Sequence, residues 1–337
     1  MKKEYYLFSS GELKRKDNNV VFIKEDGIST IIPIQTISNI YVFGHMILSA
    51  DLFNILNSCE INLHMFNWYG KYIGSYYHEK KSSGKVIVEQ SKHYSHDKLR
   101  LELSKKFVLG ANQNIQVNLN YYSKDSNEID KNKKDIIIQN QEDILRYKES
   151  ISDCNDISEL MGIEANIRRK YYDCFNLILK NDFFMNGRSK QPPQDEVNAL
   201  MSFGNVLTYS LCNSFINQTY LSNEISFLHE LSVKRNSLSL DLAEIFKPIF
   251  VDRLIFRLIN NNMIKKSNFT TNELGVFMNE SGKRLFVQEW DAMLGKTVMN
   301  SKLGRNVTYK NLVKLECYKL VKHFMENEEY KPLKMDY

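Results

Sequence analysis

The stretch Leu160-Met161-Gly162-Ile163-Glu164-Ala165-Asn166-Ile167-Arg168-Arg169-Lys170-Tyr171-Tyr172-Asp173-Cys174-Phe175-Asn176-Leu177-Ile178-Leu179 decides how the chain is read. Leu160, Ile163, Ile167, Tyr171, Cys174 and Ile178 recur at intervals of three and four, which places them on one face of a helix. Glu164 falls inside that apolar stripe. A carboxylate on a core-facing stripe is costly unless it is paired or bound to a cation. Arg168, one turn on, offers an ion pair; ligation of a metal ion is the other reading.

The same helical periodicity extends outward on both sides. It predicts helices at about 96–122, 136–149, 157–180, 195–218, 240–260, 271–280 and 308–326. The span 271–280 begins with Thr270-x-x-Glu273, a capping-box spacing. Lys124–Asp135, rich in Lys, Asp and Asn, reads as a solvated loop, and the last twelve residues read as a frayed tail. Upstream the pattern changes. Tyr5–Phe8, Val20–Ile23, Ile28–Ile32, Ile37–Phe43, Ile61–Phe66 and Tyr72–Tyr77 are short runs of β-branched and aromatic residues. Asn18-Asn19, Asp26-Gly27 and Tyr69-Gly70 punctuate them as turns. One helix, Asp51–Asn57 capped by Ser49, interrupts the series. The expected class is therefore α+β: a β-rich N-terminal domain over residues 1–90, then a larger all-α catalytic domain over 91–337.

Composition sets the outer bounds. The 337 residues are 43% hydrophobic and 25% charged, with a formal net charge of +5. This is globular core material with a mild bias that permits nucleic-acid binding. No run approaches the roughly 18–20 apolar residues of a membrane span, and no apolar segment follows the N-terminal lysines as a secretory signal requires. The expectation is a cytoplasmic protein with no membrane partner. Five scattered cysteines without a Cys-x-x-Cys pair argue against a disulfide framework and against a zinc knuckle.

A second acidic anomaly lies in Leu240-Asp241-Leu242-Ala243-Glu244-Ile245-Phe246-Lys247-Pro248. Asp241 and Glu244, three apart, share a helical face, where like charges raise each other's pKa unless a cation stands by. An exposed first turn favoured by the helix dipole is the alternative. Pro248 cannot donate to the carbonyl of Glu244, which predicts a kink and free backbone beside the acidic turn. Of the seven histidines, only His229, in Phe227-Leu228-His229-Glu230, lies one loop upstream of this turn. Two or three carboxylates with one imidazole suit Mg²⁺ or Mn²⁺ better than zinc. Such an ion supports phosphoryl transfer.

At these residues the sequence resembles the CRISPR-associated spacer-acquisition integrases, the Cas1 family. Three blocks carry the likeness in order: Met161–Tyr172; Gly187-Arg188-Ser189-Lys190-Gln191-Pro192-Pro193 running into Asp195–Gly204; and Phe227–Glu230 continuing through Ser239–Pro248. Ile40–Gly44, Ile61–Phe66 and Gly70–Gly74 extend it into the β-rich region. The resemblance implies that Glu164, His229 and Glu244 ligate the metal and that Asp241 supports them. It implies a homodimer formed through the β domains, and assembly with a second small protein, Cas2, around a protospacer DNA duplex. It implies a reaction in which a protospacer 3′-hydroxyl attacks a phosphodiester of the CRISPR repeat. No Gly-x-x-x-x-Gly-Lys-Ser/Thr loop occurs in the sequence, in keeping with an exchange that needs no ATP.

Basic residues surround the acidic blocks, and a carboxylate site acting on a polyanion needs such a rim. Arg168, Arg188, Lys190, Lys234, Arg235 and Lys247, with Tyr172, are the candidate DNA contacts; solvated surface charge is the plain alternative for each base. Two further readings stay open: a general metal-dependent nuclease acting on branched DNA in repair, and a non-catalytic DNA-binding scaffold.

Overall fold

The computed structural model describes residues 2–79, 83–124, 129–231, 236–300 and 303–335. The chain divides into two compact units, Met1–Lys81 and Ser82–Tyr337. The division falls before residue 90 because Gly84–Ser95 is already helical.

In the first unit, strands β1 (Lys3–Leu7), β5 (Ile37–Phe43), β7 (Asn62–Phe66) and β8 (Tyr72–Tyr76) form one sheet in the order β1-β5-β7-β8. A second sheet has the order β4-β3-β2-β6, from β2 (Gly11–Lys16), β3 (Asn19–Lys24), β4 (Ser29–Pro33) and β6 (Met46–Leu48). Helix α1 (Ala50–Ser58) supplies Leu52, Ile55 and Leu56 to their common core, beside Leu13, Val20, Phe22, Ile40 and Val42. Strand β5 pairs in parallel with both neighbours and is buried on both faces, as a near-continuous apolar run should be. Its other face stacks Tyr41 on Tyr6, and Phe43 on Phe8 and Phe66. Strands β2 and β6 were not anticipated: Gly11–Lys16 is mostly charged, and Met46–Leu48 is three residues long.

The second unit is built on α2 (Gly84–Ser95), α3 (Asp97–Ser123), α4 (Lys131–Asp153), α5 (Ile157–Asp173), the short α6 (Phe175–Ile178) and α7 (Glu196–Asn217). After them α8 (Ser237–Lys247), a π-helical turn (Pro248–Asp252) and α9 (Arg253–Asn260) run as one continuous helical stretch through the core. Gly204 of α7 permits the close approach: a Cβ there would lie 2.7 Å from Val251 Cγ1.

The unit is mostly helical but not all-α. Thr270-x-x-Glu273 does not start a helix. Strands β9 (Phe269–Asn272) and β10 (Gly275–Met278) form a hairpin there, with Gly275 at φ +119 where a side chain would also strike Pro193 O. The helix, α10 (Glu280–Leu294), begins later and is capped by Asn279, whose side chain accepts from Gly282 N. A second hairpin, β11 (Thr297–Asn300) with β12 (Arg305–Thr308), leads into α11 (Tyr309–Glu326). Part of the expected 124–135 loop is helical, since Asp130 caps α4.

The C-terminal segment is docked rather than frayed. Tyr330 is buried and donates to Glu316 Oε1 at 2.6 Å, and Met335 N donates to Asn114 Oδ1 at 3.0 Å. No helix among the described residues is long and apolar enough to cross a membrane.

Candidate active site

Helix α5 starts at Asp156, whose carboxylate accepts from Glu159 N at 2.8 Å, and this sets its phase. Leu160, Ile163, Ile167 and Tyr171 are buried along it, as their spacing predicts. Glu164 lies at the margin of that stripe, its side chain 20% exposed, and accepts from Arg168 Nε at 3.1 Å. The guanidinium of Arg168, itself buried, also donates to the carboxylate of Glu244 on α8. Arg168 therefore joins the two acidic blocks, 76 residues apart. The carbonyl of Glu244, to which Pro248 cannot donate, accepts from the same guanidinium at 3.4 Å. Where a kink was expected at Pro248, the helix continues through a π turn, in which Arg253 N–H reaches back to Pro248 O.

Asp241 and Glu244 are both buried, so the exposed-turn alternative does not hold. Asp241 is fully committed. It accepts from the backbone N–H groups of Phe227 (2.6 Å), Leu228 (3.1 Å) and His229 (3.1 Å), and from His229 Nδ1 at 2.8 Å. Three successive amides converging on one carboxylate make a rigid anion nest. Ser226 Oγ donates to His229 O at 2.6 Å and closes the loop on itself. Asn223 Oδ1 accepts from Ser239 N and ties the loop to the start of α8. With Nδ1–H given to Asp241, the lone pair of the imidazole is on Nε2.

The electrostatics follow from these contacts. Burial opposes the charge on Glu244, but Lys247 and Arg168 hold its carboxyl well below the usual carboxylate range. Burial likewise opposes protonation of His229, yet the hydrogen bond and charge of Asp241 and the charge of Glu244 raise its pKa above the ordinary value. Lys247 donates to Glu244 and lies 5.0 Å from the centre of the Tyr209 ring. On the loop before α7, Arg188 donates to Asn198 Oδ1 at 2.8 Å and to Ser202 Oγ at 3.3 Å. Lys190 has its pKa lowered by burial and by the charges of Lys247 and Arg188, with Glu244 and Glu164 opposing. Tyr172 is half-buried and packs edge-on against Phe175, with Arg168 and Arg188 among its charged neighbours. Lys234 and Arg235 lie outside the described residues.

Among the described residues, no three His, Cys, Asp or Glu side chains are close enough together to chelate an ion as they stand. Glu164 and Glu244 are instead turned to Arg168 and Lys247. The donor set itself, two carboxylates and an imidazole oriented through Nδ1, is chemically suited to an oxygen-preferring divalent cation.

The family model for the CRISPR associated protein Cas1 matches residues 5–292. The chain belongs to the Cas1 family. Its relatives include a CRISPR-associated endonuclease Cas1 of Thermodesulfovibrio yellowstonii, 43% identical over 334 residues and covered over 98% of each chain. That of Clostridium perfringens is 41% identical over 338 residues, 99% of each. Among solved structures, a Cas1 protein from Thermotoga maritima superposes with a TM-score of 0.83 at 33% identity, over 99% of both chains. The resemblance drawn from the three sequence blocks is borne out, as is a β-rich region followed by a mostly helical one. With the family comes the enzyme class: this is a CRISPR-associated endonuclease, and the Cas1 endonucleases are metal-dependent.

One residue of the site was not singled out from sequence. Asp252, in the π turn, is 2% exposed, has Tyr171 among its polar neighbours, and its Oδ2 has no hydrogen-bond partner. Burial pushes its carboxyl up to about 7, with the charge of Arg168 working the other way. The signal that betrays Glu164 was present here too: an acid inside the apolar run Ile249-Phe250-Val251-Asp252.

Proposed function

We propose that the protein is the metal-dependent DNA integrase of CRISPR adaptation, with Glu164, His229 and Glu244 as ligands of Mg²⁺ or Mn²⁺ and Asp241 as the residue that orients His229. The observation that carries this reading is the commitment of Asp241. A fully buried carboxylate devoted to three amides and one Nδ1 fixes both the tautomer and the direction of the imidazole. When bound, a divalent cation polarises a phosphodiester and stabilises the charge developing on its oxygens. The remaining work belongs to the chain. Arg188, Lys190 and Lys247 offset the repulsion between acidic residues and a polyanion, and hold backbone phosphates without reading sequence.

The proposed reaction exchanges one phosphodiester for another. The oxygen of a protospacer 3′-hydroxyl bonds to a phosphorus of the repeat, the bond from that phosphorus to its own 3′-oxygen breaks, and the departing oxygen leaves as a new 3′-hydroxyl. With water as the attacking group, the same exchange is endonucleolytic cleavage. The working assembly in this reading is a cytoplasmic homodimer formed through the β units, joined by Cas2 around a short DNA duplex.

A strand-transfer assay tests the reading. Protein and its small partner are mixed with duplex DNA and a supercoiled plasmid bearing the repeat, in Mn²⁺ or EDTA. Joining that requires the metal and is lost in Glu164→Ala, His229→Ala and Glu244→Ala is the expected result. Cleavage of branched DNA without joining would replace it with the general nuclease, and DNA binding without either activity with the scaffold.

A further inference from the structure

Helix α9 is buried almost all round: Leu254, Ile255, Phe256, Leu258 and Ile259 are in the core. Its other positions, Arg253, Arg257 and Asn260, are half-buried and recur at intervals of four and three, so they form one polar stripe. That stripe is one wall of a cavity of about 370 Å³. Lys180 and Lys296 bring two more cations to it from separate segments of the chain. Tyr121 and Tyr122 at the end of α3, and Tyr309 at the start of α11, bring three aromatic rings. Among the described residues that line the cavity there is no carboxylate. Arg257 is paired at 2.5 Å with Glu289 of α10, which stands outside the lining, and the Arg253 guanidinium lies 5.8 Å from the centre of the Tyr121 ring.

Four cations drawn to one concavity, one of them already paired with Glu289, give it a positive bias. The ligand it favours is an anion. The rings narrow the class further, because a planar base stacks on tyrosine whatever its identity. The volume sits at the lower end of the range of ligand pockets, roughly 300–1,000 Å³, and suits a single nucleotide unit. None of Glu164, His229, Asp241 and Glu244 lines the cavity. The charge of Asp252 acts on Arg168 and Tyr171, whereas the next residue, Arg253, lines the cavity.

We propose that this cavity is a second nucleic-acid site, taking one phosphorylated nucleotide with its phosphate among Arg253, Arg257, Lys180 and Lys296 and its base against the tyrosines. The nucleotide arrives either within a single DNA strand or free, and the site needs no metal.

The test uses the full chain in EDTA. A 5-bromodeoxyuridine hexamer is photocross-linked, the attached peptides are mapped, and its affinity is measured for the wild type and for Lys180→Ala/Lys296→Ala. Attachment at Tyr121, Tyr122 or Tyr309, with affinity lowered about tenfold in the double variant and an unchanged unfolding midpoint, supports the site. Displacement of the hexamer by thymidine triphosphate at a lower concentration than unlabelled hexathymidylate requires would assign it to free nucleotides; the reverse would assign it to a DNA strand. Attachment only elsewhere, with equal affinity in both proteins, overturns the proposal.

Discussion

Replacing Asp252 by asparagine removes an ionisable group from the centre of the helical unit while keeping an oxygen beside Tyr171. In the folded protein its carboxyl sits at about 7, against 3.8 for an unburied aspartate. Between those values the folded state holds a proton that the unfolded chain has released, so the stability of the wild type falls as pH rises through the window. Each pH unit removes about 1.36 kcal/mol, on the order of 4 kcal/mol across the whole window. Asparagine does not titrate. The advantage of Asp252→Asn over the wild type should therefore grow by about 2 to 3 kcal/mol from about pH 5 to about pH 8, then level off. His229, whose raised pKa makes stability fall with rising pH in the same direction, is common to both proteins and cancels in the difference. Urea unfolding in EDTA at the two pH values, followed by tryptophan fluorescence, gives the number. An advantage equal at both would mean that Asp252 stays ionised throughout, with Arg168 neutralising it in full, and the reasoning would be refuted.

Arg168→Ala should cost at most about 3–5 kcal/mol, since it removes the guanidinium that joins Glu244 to Glu164 while Lys247 still holds Glu244. Thermal unfolding in EDTA reads this, and an unchanged midpoint would show the bridge to be inconsequential. Asp241→Asn should weaken Mn²⁺ binding by about 10–100-fold, measured by calorimetry. It should also lower the pKa of His229, followed by NMR, because the charge that raises it is gone. Retained affinity together with an unmoved imidazole would remove Asp241 from its orienting role.

The parts of the site that sequence disclosed share one physical signature, charge where burial was expected. Glu164 stood out because helical spacing put it on the apolar stripe between Leu160 and Ile167, and Asp241 and Glu244 because two like charges three apart on one face need a cation beside them. What spacing left open was the partner. Ion pair and metal ligand were both admissible for Glu164, and the contact with Arg168 satisfies the first without contradicting the second. The larger misreadings came from contacts distant in sequence. Thr270-x-x-Glu273 is locally a sound helix start, but β9 is held by β10, and Val276 N donates to Pro193 O, 83 residues away. The C-terminal segment looks solvated by composition, yet Glu316 and Asn114 are placed to receive it. Strand β2 shows too little apolar alternation to be legible alone; its pairing with β3 and β6 makes it a strand.

The π turn at Pro248–Asp252 works as a phase shifter between two ends of one rod. Five residues spaced for bonds to the fifth neighbour hold about one residue more than an α-helix would over the same rise, which turns everything downstream by about 100°. The direction in which Asp241 and Glu244 look is thereby uncoupled from the direction in which Arg253 and Arg257 look. Winding the same five residues as plain α-helix would leave the acidic end aimed as it is and swing both arginines by about 100° off the cavity wall. One extra residue in a proline-led turn thus lets a single buried helix present opposite charges to two separate places.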